Sequence, residues 1–320
     1  MLLDIIYIIA GVALVLWGAD RLTEGAASLA RRLNVPEIVI GLTIVAAGTS
    51  APELFVSVVS ALNKTPDLAV GNVVGSNIMN TLLIVGVAAM VAPMIISRST
   101  VRKDIPFTAG SALLLVVLCL DGFASLAING NSISRFDGFI LLAAFALFMV
   151  YTFSVAKKGG GAAAATDNAK PVAPWLSVVF VIIGLACLVV GSNLFVDSAT
   201  SVAQQLGVSQ SVIGLTIVAG GTSLPELATS VVAARKGQSA IAIGNVIGSN
   251  VFNILLILGL TAVICPMEIG GITLIDLLVM LLSAVLVWLF SFTRYKVERW
   301  EGAVLTVCFL AYLGWLLSQI

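Results

Sequence analysis

Two glutamates occupy equivalent places in two nearly identical apolar segments of this 320-residue chain. Glu53 lies in GLTIVAAGTSAPELFVSVVSA, which begins at Gly41, and Glu226 lies in GLTIVAGGTSLPELATSVVAA, which begins at Gly214. A carboxylate inside a bilayer costs at least a few kcal/mol, and intramembrane acids generally mark ion or proton pathways. Because the chain carries this costly residue twice in the same setting, we predict that the pair holds a cation.

The residues that precede each glutamate add oxygen atoms to this prediction. Proline has no backbone N–H and disfavours a helical residue before it. Pro52, together with Gly48, therefore predicts a kink that exposes the carbonyls near Ala46 and Thr49, and such groups are tolerated at membrane depth only if something satisfies them. Thr49 lies four residues before Glu53, so these two side chains share a helix face. The second segment repeats the arrangement with Ala219, Gly221, Thr222, Pro225 and Glu226.

A second pair of motifs supplies hydroxyl and amide groups. The sequences are GNVVGSNIMN, from Gly71, and GNVIGSNVFN, from Gly244. Their GxxxG spacing is typical of glycines that let helices approach closely. This packing does not explain the polar residues that follow, since asparagine is costly in a bilayer unless it is paired. The candidates, four residues apart in each motif, are Ser76 with Asn80 and Ser249 with Asn253.

These groups together indicate a hard cation as the ligand. They comprise carboxylate, amide, hydroxyl and carbonyl oxygens, and the chain has no histidine. Oxygen ligation suits Ca²⁺, which takes about 6–8 oxygens. Two carboxylates balance one Ca²⁺ or two Na⁺, so ions that share these oxygens would compete, and such competition is the basis of antiport. Because the sequence has no nucleotide-binding loop and no catalytic constellation, we expect neither an enzyme nor a user of ATP or a cofactor.

Composition places these residues in a membrane. The chain is 60% hydrophobic and 10% charged, whereas a soluble domain carries about 25% charged residues. Lipid is therefore the expected solvent, and the formal net charge of zero gives no basic surface for nucleic acid. The four cysteines do not have the paired spacing of a zinc site, and we interpret them as apolar packing residues: Cys119, Cys187, Cys265 and Cys308.

Ten apolar stretches approach the length of about 20 residues that a spanning helix needs. We therefore predict an all-α polytopic membrane protein with ten transmembrane helices. Thirteen of the 16 Lys and Arg residues fall on one side of this arrangement, Lys64 and Arg135 fall on the other, and Arg21 lies within the first helix. Cytoplasmic loops carry the basic excess, so both termini are expected to be extracytoplasmic. The stretches are 2–31, 37–62, 68–95, 104–120, 137–156, 175–204, 209–234, 240–264, 272–292 and 299–318.

An internal repeat organises these helices. A shift of 173 residues aligns Gly41–Met94 with Gly214–Met267 without a gap, with 31 identities in 54 positions. Each half has five predicted helices, an odd number, so the second half enters the membrane from the opposite side. Inverted repeats of this kind are common in secondary transporters, whose sites lie near the midplane between the repeats. The predicted units are a first repeat (1–156), a flexible cytoplasmic linker (157–174) and a second repeat (175–320).

At the motifs GTSAPE with GTSLPE, and GNVVGSNIMN with GNVIGSNVFN, the chain resembles the cation/Ca²⁺ antiporter superfamily, most closely its prokaryotic sodium/calcium exchangers. The resemblance extends over all ten predicted helices. It implies alternating access, in which the first and sixth helices slide across a core that holds the site. The ligands that it implies are Glu53, Glu226, Thr49, Thr222, Ser50, Ser223, Ala46, Ala219, Ser76, Ser249, Asn80 and Asn253.

The resemblance implies export of Ca²⁺ against entry of Na⁺, across the plasma membrane or prokaryotic inner membrane. The partners would then be these two ions and membrane lipid. Asn253 stands where potassium-dependent relatives carry Asp, which weakens the case for K⁺, and the histidine common in proton-coupled relatives is missing. The alternatives are a K⁺-dependent exchanger, a Ca²⁺/H⁺ exchanger, a channel and a non-transporting scaffold.

Overall fold

The structure, a computed structural model, describes residues 1–63, 65–119, 132–158, 173–207, 217, 219–268 and 272–318. These residues are almost entirely helical, as their apolar composition requires, because a helix satisfies its own backbone groups in lipid. The helices of the first half are α1 (Leu2–Leu33), α2 (Glu37–Thr49), α3 (Ala51–Leu62), α4 (Pro66–Ile78, continued by Val85–Val91), α5 (Ile105–Cys119) and α6 (Arg135–Lys158).

The second half follows the same order. Its helices are α7 (Pro174–Gln205), α8 (Ala219–Thr222), α9 (Leu224–Arg235), α10 (Ser239–Val251, continued by Gly259–Ile264), α11 (Leu274–Ser291) and α12 (Arg299–Leu317). Four π-helical turns lie entirely within the described residues, and none of them was predicted: Gly41–Val45, Met79–Ile84, Thr100–Asp104 and Phe252–Leu258.

Eight of the ten predicted spans can be recognised in the described residues. Seven helices are long and apolar enough to cross a membrane, and the bent pair α2 and α3 makes an eighth span. The other two predicted stretches, 104–120 and 209–234, contain α5 and α8 with α9, and each also includes residues outside the described ranges. Most of the linker 157–174 lies outside them as well.

Two short strand pairs join loops that the sequence analysis assigned to the same side. On the side with the basic excess, β1 (Met94–Ile95) pairs antiparallel with β4 (Lys296–Val297). On the opposite side, β2 (Ser132–Ile133) pairs with β3 (Met267–Glu268). Loops can pair only if they emerge at the same end of the bundle, so both strand pairs agree with the predicted order of crossings.

The helices α4 and α10 form the centre of the bundle. In both, 78% of the spanning window is buried, against 22% for α1 and 28% for α7. Glycines permit the close packing of α10: a Cβ at Gly248 would lie 2.6 Å from the Cβ of Ala46, and one at Gly244 would lie 2.9 Å from the carbonyl oxygen of Ile38. The expectation that the GxxxG glycines allow close helix packing is wrong for Gly75, where a Cβ would meet nothing within 4 Å.

The peripheral helices α1 and α7 pack against each other along facing glycines. A Cβ at Gly11 would lie 2.8 Å from the Gly191 carbonyl oxygen, and one at Gly18 would lie 2.8 Å from the Gly184 carbonyl oxygen. The residue numbers rise on one helix as they fall on the other, so the helices are antiparallel. The contact continues at Gly25, where a Cβ would lie 2.7 Å from the carbonyl oxygen of Ser177. Small residues thus recur every seven positions on both faces.

At the end of the bundle with the basic loops, α1 is tied to the end of α9. Lys236 Nζ lies 2.6 Å from Asp20 Oδ1 and donates to the Asp20 carbonyl at 2.8 Å and to Thr23 Oγ1 at 3.2 Å. The neighbouring Arg21 pairs with Glu24 of the same helix at 2.8 Å. The residues at the equivalent positions of the other repeat, 173 residues away, are uncharged, so these three positions cannot form the same ion pair: Asn193, Val196 and Asn63.

Candidate ion-binding site

Both glutamates lie in the first turn of a helix that follows a break. The axis bends by 46° between α2 and α3, with Ser50 at the break and Pro52 in the first turn of α3, so the predicted kink is confirmed. Ser223 lies between α8 and α9 with almost the same backbone dihedrals, φ −89° and ψ 8° against −83° and 7° at Ser50. The start of a helix favours a carboxylate, since its N–H groups lack intrahelical partners.

One predicted consequence of the kink is not found. The carbonyl of Ala46 accepts the backbone N–H of Ser50 at 3.0 Å and the hydroxyl of Thr49 at 3.4 Å. The prediction that the kink exposes the Ala46 carbonyl is therefore wrong. The missing N–H of Pro52 affects the carbonyl four residues earlier, at Gly48, and the helical bond to Ala46 survives.

Serine hydroxyls connect the two glutamates crosswise between the repeats. Ser50 Oγ donates to Glu226 Oε1 at 3.0 Å, and Ser223 Oγ donates to Glu53 Oε1 at 3.2 Å. Each serine lies three residues before the glutamate of its own repeat but bonds the glutamate of the other. Both carboxylates are buried, with 0% of Glu53 and 1% of Glu226 exposed. The structure thus brings the two acids into one buried cluster.

Helices α4 and α10 extend this cluster. Ser249 Oγ donates to Glu226 Oε1 at 3.4 Å, and Ser223 Oγ lies 3.2 Å from Ser76 Oγ. Asn80 and Asn253 lie in the π-helical turns of α4 and α10. Such turns occur frequently at functional sites, because they locally change the direction of the side chains.

Several buried acceptors in this region have no hydrogen-bond partner among the described residues. They include the second carboxylate oxygen, Oε2, of both Glu53 and Glu226, and the amide oxygens of Asn80 and Asn253. An unsatisfied buried polar group costs about 1–3 kcal/mol. A bound cation would satisfy the two carboxylate oxygens among these acceptors.

The remaining predicted ligands are placed differently. Thr49 is buried, and its hydroxyl donates to Asn245 Oδ1 at 3.1 Å and also lies within hydrogen-bonding reach of Glu226. Thr222 ends α8, and Ala219 begins it. Ala46, Thr49 and Ser50 surround the break in the first repeat at the positions that the sequence repeat pairs with Ala219, Thr222 and Ser223.

Two asparagines without a predicted role contact the glutamate turns. Asn72 Nδ2 donates to the carbonyl of Glu53 at 3.2 Å and to Ser57 Oγ at 3.0 Å. In the second repeat, Asn245 Nδ2 donates to the carbonyl of Glu226 at 3.4 Å and to the hydroxyl of Ser230 at 3.0 Å. The sequence does contain a signal for these contacts, since in both repeats the asparagine follows the glutamate by 19 residues.

Buried acids outside the motifs differ from the glutamate pair. Asp104 accepts the Tyr151 hydroxyl at 2.7 Å, and Asp276 accepts the Tyr312 hydroxyl at 2.7 Å and caps α11. These carboxylates serve as structural hydrogen-bond acceptors. In the described ranges, no three His, Cys, Asp or Glu residues come together in a metal-binding group. A cation at Glu53 and Glu226 must therefore draw its other ligands from neutral oxygens.

Several proteins of similar sequence and fold are named as antiporters or exchangers. A family model described as sodium/calcium exchanger protein matches residues 3–154 and 176–318. A putative antiporter CaxA of Alkalimonas amylolytica is 38% identical over 328 residues, covering 100% of both chains. The sodium/calcium exchanger MaX1 of Methanosarcina acetivorans is 33% identical over 340 residues, covering 97% of both. A solved structure of the sodium-calcium exchanger NCX_Mj, soaked with Na⁺, superposes with a TM-score of 0.83 at 31% identity and covers 98% of both chains.

Proposed function

The chain belongs to the sodium/calcium exchanger protein family, and from that premise we propose that it is a secondary antiporter that exchanges Na⁺ for Ca²⁺ by alternating access. The observation that carries this proposal is the buried glutamate pair. Serine bonds from the opposite repeat orient one oxygen of each carboxylate, while the other oxygen has no partner among the described residues. That arrangement suits a cation that arrives and leaves, since the ion pairs of the described residues include neither acid.

The charge balance of the site supports exchange of these two ions. Two carboxylates neutralise one Ca²⁺ or two Na⁺, and hard cations of this kind prefer oxygen ligands. Both ions would draw on the same oxygens, so binding of one excludes the other. The carbonyl of Ala46 would join the set on release of the Thr49 hydroxyl that it now accepts. The proposed ligands are Glu53, Glu226, Thr49, Thr222, Ser50, Ser223, Ala46, Ala219, Ser76, Ser249, Asn80 and Asn253.

We also propose ten spans arranged as two inverted five-helix repeats, with both termini outside the cytoplasm and the site at the midplane. The sequence repeat, the strand pairs at the two ends and the antiparallel packing of α1 on α7 support this topology. The breaks at Ser50 and Ser223 and the π-helical turns of α4 and α10 fall at corresponding places in the two halves, as inverted repeats require.

The comparisons do not favour the K⁺-dependent alternative. The human sodium/potassium/calcium exchanger 3 is 32% identical over only 125 residues, which is 38% of this chain. CaxA and MaX1, in contrast, match along nearly the whole length. The amide at Asn253, in place of a third acid, agrees with an exchanger that needs no K⁺.

Ion flux into proteoliposomes tests the proposed function. Vesicles loaded with Na⁺ and diluted into Na⁺-free medium should accumulate Ca²⁺, because outward Na⁺ flow drives the exchange. Glu53→Gln and Glu226→Gln should each abolish uptake, whereas Asp4→Asn, at a carboxylate that pairs with the N-terminal amine, should retain it. Uptake that ignores Na⁺ and follows an imposed pH gradient would contradict Na⁺/Ca²⁺ exchange.

A further inference from the structure

Two asparagines outside the proposed ligand set form the same bridge to the two glutamate turns. In each repeat one side-chain amide donates to the carbonyl of the glutamate and to the serine hydroxyl four residues later. An amide NH₂ has two donors, and here each one has an acceptor. The bridge therefore attaches the first turn of α3 to α4, and the first turn of α9 to α10.

The position of each asparagine along its helix gives the bridge a consequence for ion binding. Asn72, Ser76 and Asn80 follow one another at four-residue steps on α4, as do Asn245, Ser249 and Asn253 on α10. Residues four apart share a helix face. The bridge from the first asparagine of each series therefore sets the distance from the glutamate to the serine hydroxyl and to the second asparagine amide of that series.

We propose that Asn72 and Asn245 are positioning residues, which hold Glu53 and Glu226 at the distance from α4 and α10 that lets both helices share one cation. The inference rests on the proposed ion-exchange function and adds two residues that contact the glutamate backbone rather than the ion. Neither bond involves a carboxylate oxygen, so the asparagines orient the acids without occupying the oxygens that a cation needs.

The two bridges differ in strength. Asn245 is 0% exposed and, in addition to its two donated bonds, accepts the hydroxyl of Thr49 from the first repeat at 3.1 Å. Asn72 is half-buried. Asn245 therefore joins the glutamate turn of its own repeat to the break in the other one. We expect its loss to weaken ion binding more than the loss of Asn72.

The test compares truncation with removal of hydrogen bonding alone. Asn72→Ala and Asn245→Ala shorten the side chain, while Asn72→Leu and Asn245→Leu keep its branched shape without donors. Each lost buried hydrogen bond is worth roughly a factor of 2–10 in an equilibrium constant. The half-saturating Ca²⁺ concentration for uptake should rise about tenfold or more for both Asn245 variants and a few-fold for both Asn72 variants, while the maximal rate stays near that of the parent.

Asn193→Ala is the matched control, because this asparagine lies on α7 and is exposed. Ser57→Ala and Ser230→Ala remove one acceptor each and should give smaller shifts than the asparagine variants of the same repeat. If Asn245 variants fail to fold, Ser230→Ala tests the same bridge. Unchanged half-saturation with a reduced maximal rate, or full affinity in the leucine variants, would overturn the proposal.

A binding measurement separates this inference from the proposed exchange. Ca²⁺ added to the purified protein in detergent should raise its unfolding temperature, and the raise at a fixed subsaturating Ca²⁺ concentration should be smaller in the asparagine variants. If the parent binds Ca²⁺ without exchanging it for Na⁺, the proposed function fails while the thermal shifts still test the bridges. If the parent exchanges the ions and every variant shows the parent's thermal shift, the bridges have no positioning role.

Discussion

At the scale of residues, the site differs from other buried polar groups in its lack of hydrogen-bond partners. Asp104 and Asp276 have tyrosine partners, whereas Oε2 of both Glu53 and Glu226 has none among the described residues. A protein can tolerate the free-energy cost of unsatisfied buried acceptors when a bound ligand interacts with them and offsets that cost. Ion affinity should therefore depend on the hydroxyls that orient the carboxylates.

We predict that Ser50→Ala and Ser223→Ala each raise the half-saturating Ca²⁺ concentration by about three- to tenfold, since each removes one hydrogen bond to a charged acceptor. The crosswise geometry makes Ser50→Ala act on Glu226 and Ser223→Ala act on Glu53. Uptake as a function of Ca²⁺ concentration gives the shift. Ser154→Ala, on the exposed side of α6, removes only a bond to its own helix and should change nothing. Equal effects of all three variants would rule out this role for the serines.

At the scale of elements, breaks and close contacts decide what the helices can do. Proline in the first turn of α3 and α9 predicts the breaks, and the repeated glycines of α1 and α7 allow backbone contact. A Cβ at Gly184 would lie 2.7 Å from the backbone nitrogen of Leu22, closer than packed atoms approach. The two helices can hold this geometry only if neither carries a side chain there.

We predict that Gly184→Ala destabilises the protein by about 1–3 kcal/mol, as overpacking does, and slows transport because the added methyl group pushes α1 and α7 apart. Thermal unfolding in detergent and the initial rate of Ca²⁺ uptake measure the two effects. The control is Gly314→Ala in α12, where a new Cβ meets nothing within 4 Å. Alanine there should be neutral or slightly stabilising, since glycine lowers helix stability. A Gly184→Ala protein as stable as the Gly314→Ala protein would contradict the close contact.

The sequence predicted more of these elements than of their contacts. Apolar length, basic residues and the repeat indicate the spans, and Pro52 indicates the kink, because these signals are local or periodic. The π-helical turns left no comparable signal, since they share no composition: Met79–Ile84 and Phe252–Leu258 are mostly apolar, whereas Thr100–Asp104 has three charged residues. The crosswise serine bonds and the asparagine bridges join positions 15 to 176 residues apart, so they depend on packing that no local pattern specifies.

At the scale of the whole molecule, the two halves are not equivalent. Lys236 holds Asp20 and Thr23 of α1 through three contacts, and the corresponding positions of the other repeat carry no charge. If the protein is the inverted-repeat exchanger proposed above, such a contact can close one end of the bundle but not the other. It should therefore favour the conformation in which the end with the basic loops is closed.

We predict that Lys236→Gln changes the apparent Ca²⁺ affinities on the two faces of the membrane in opposite directions, each by about two- to fivefold. A partly exposed ion pair is worth up to about 1 kcal/mol, which corresponds to a shift of this size. Uptake into vesicles sorted by protein orientation measures both affinities. The control is Lys296→Gln, which breaks a pair with Glu298 at the same end without touching α1. If the apparent Ca²⁺ affinities on both faces change in the same direction, a one-sided contact is excluded. The double variant Asp20→Lys with Lys236→Asp, which exchanges the two charges, should restore part of the preference for the closed end.

The glycine contacts between α1 and α7 also limit how these helices can travel. Small residues recur every seven positions on both helices, a step of about 10.5 Å along the axis. A relative slip smaller than that step would press side chains against the facing backbone. Displacement of one helix must therefore carry its neighbour with it, so α1 and α7 move together as one rigid body and not independently.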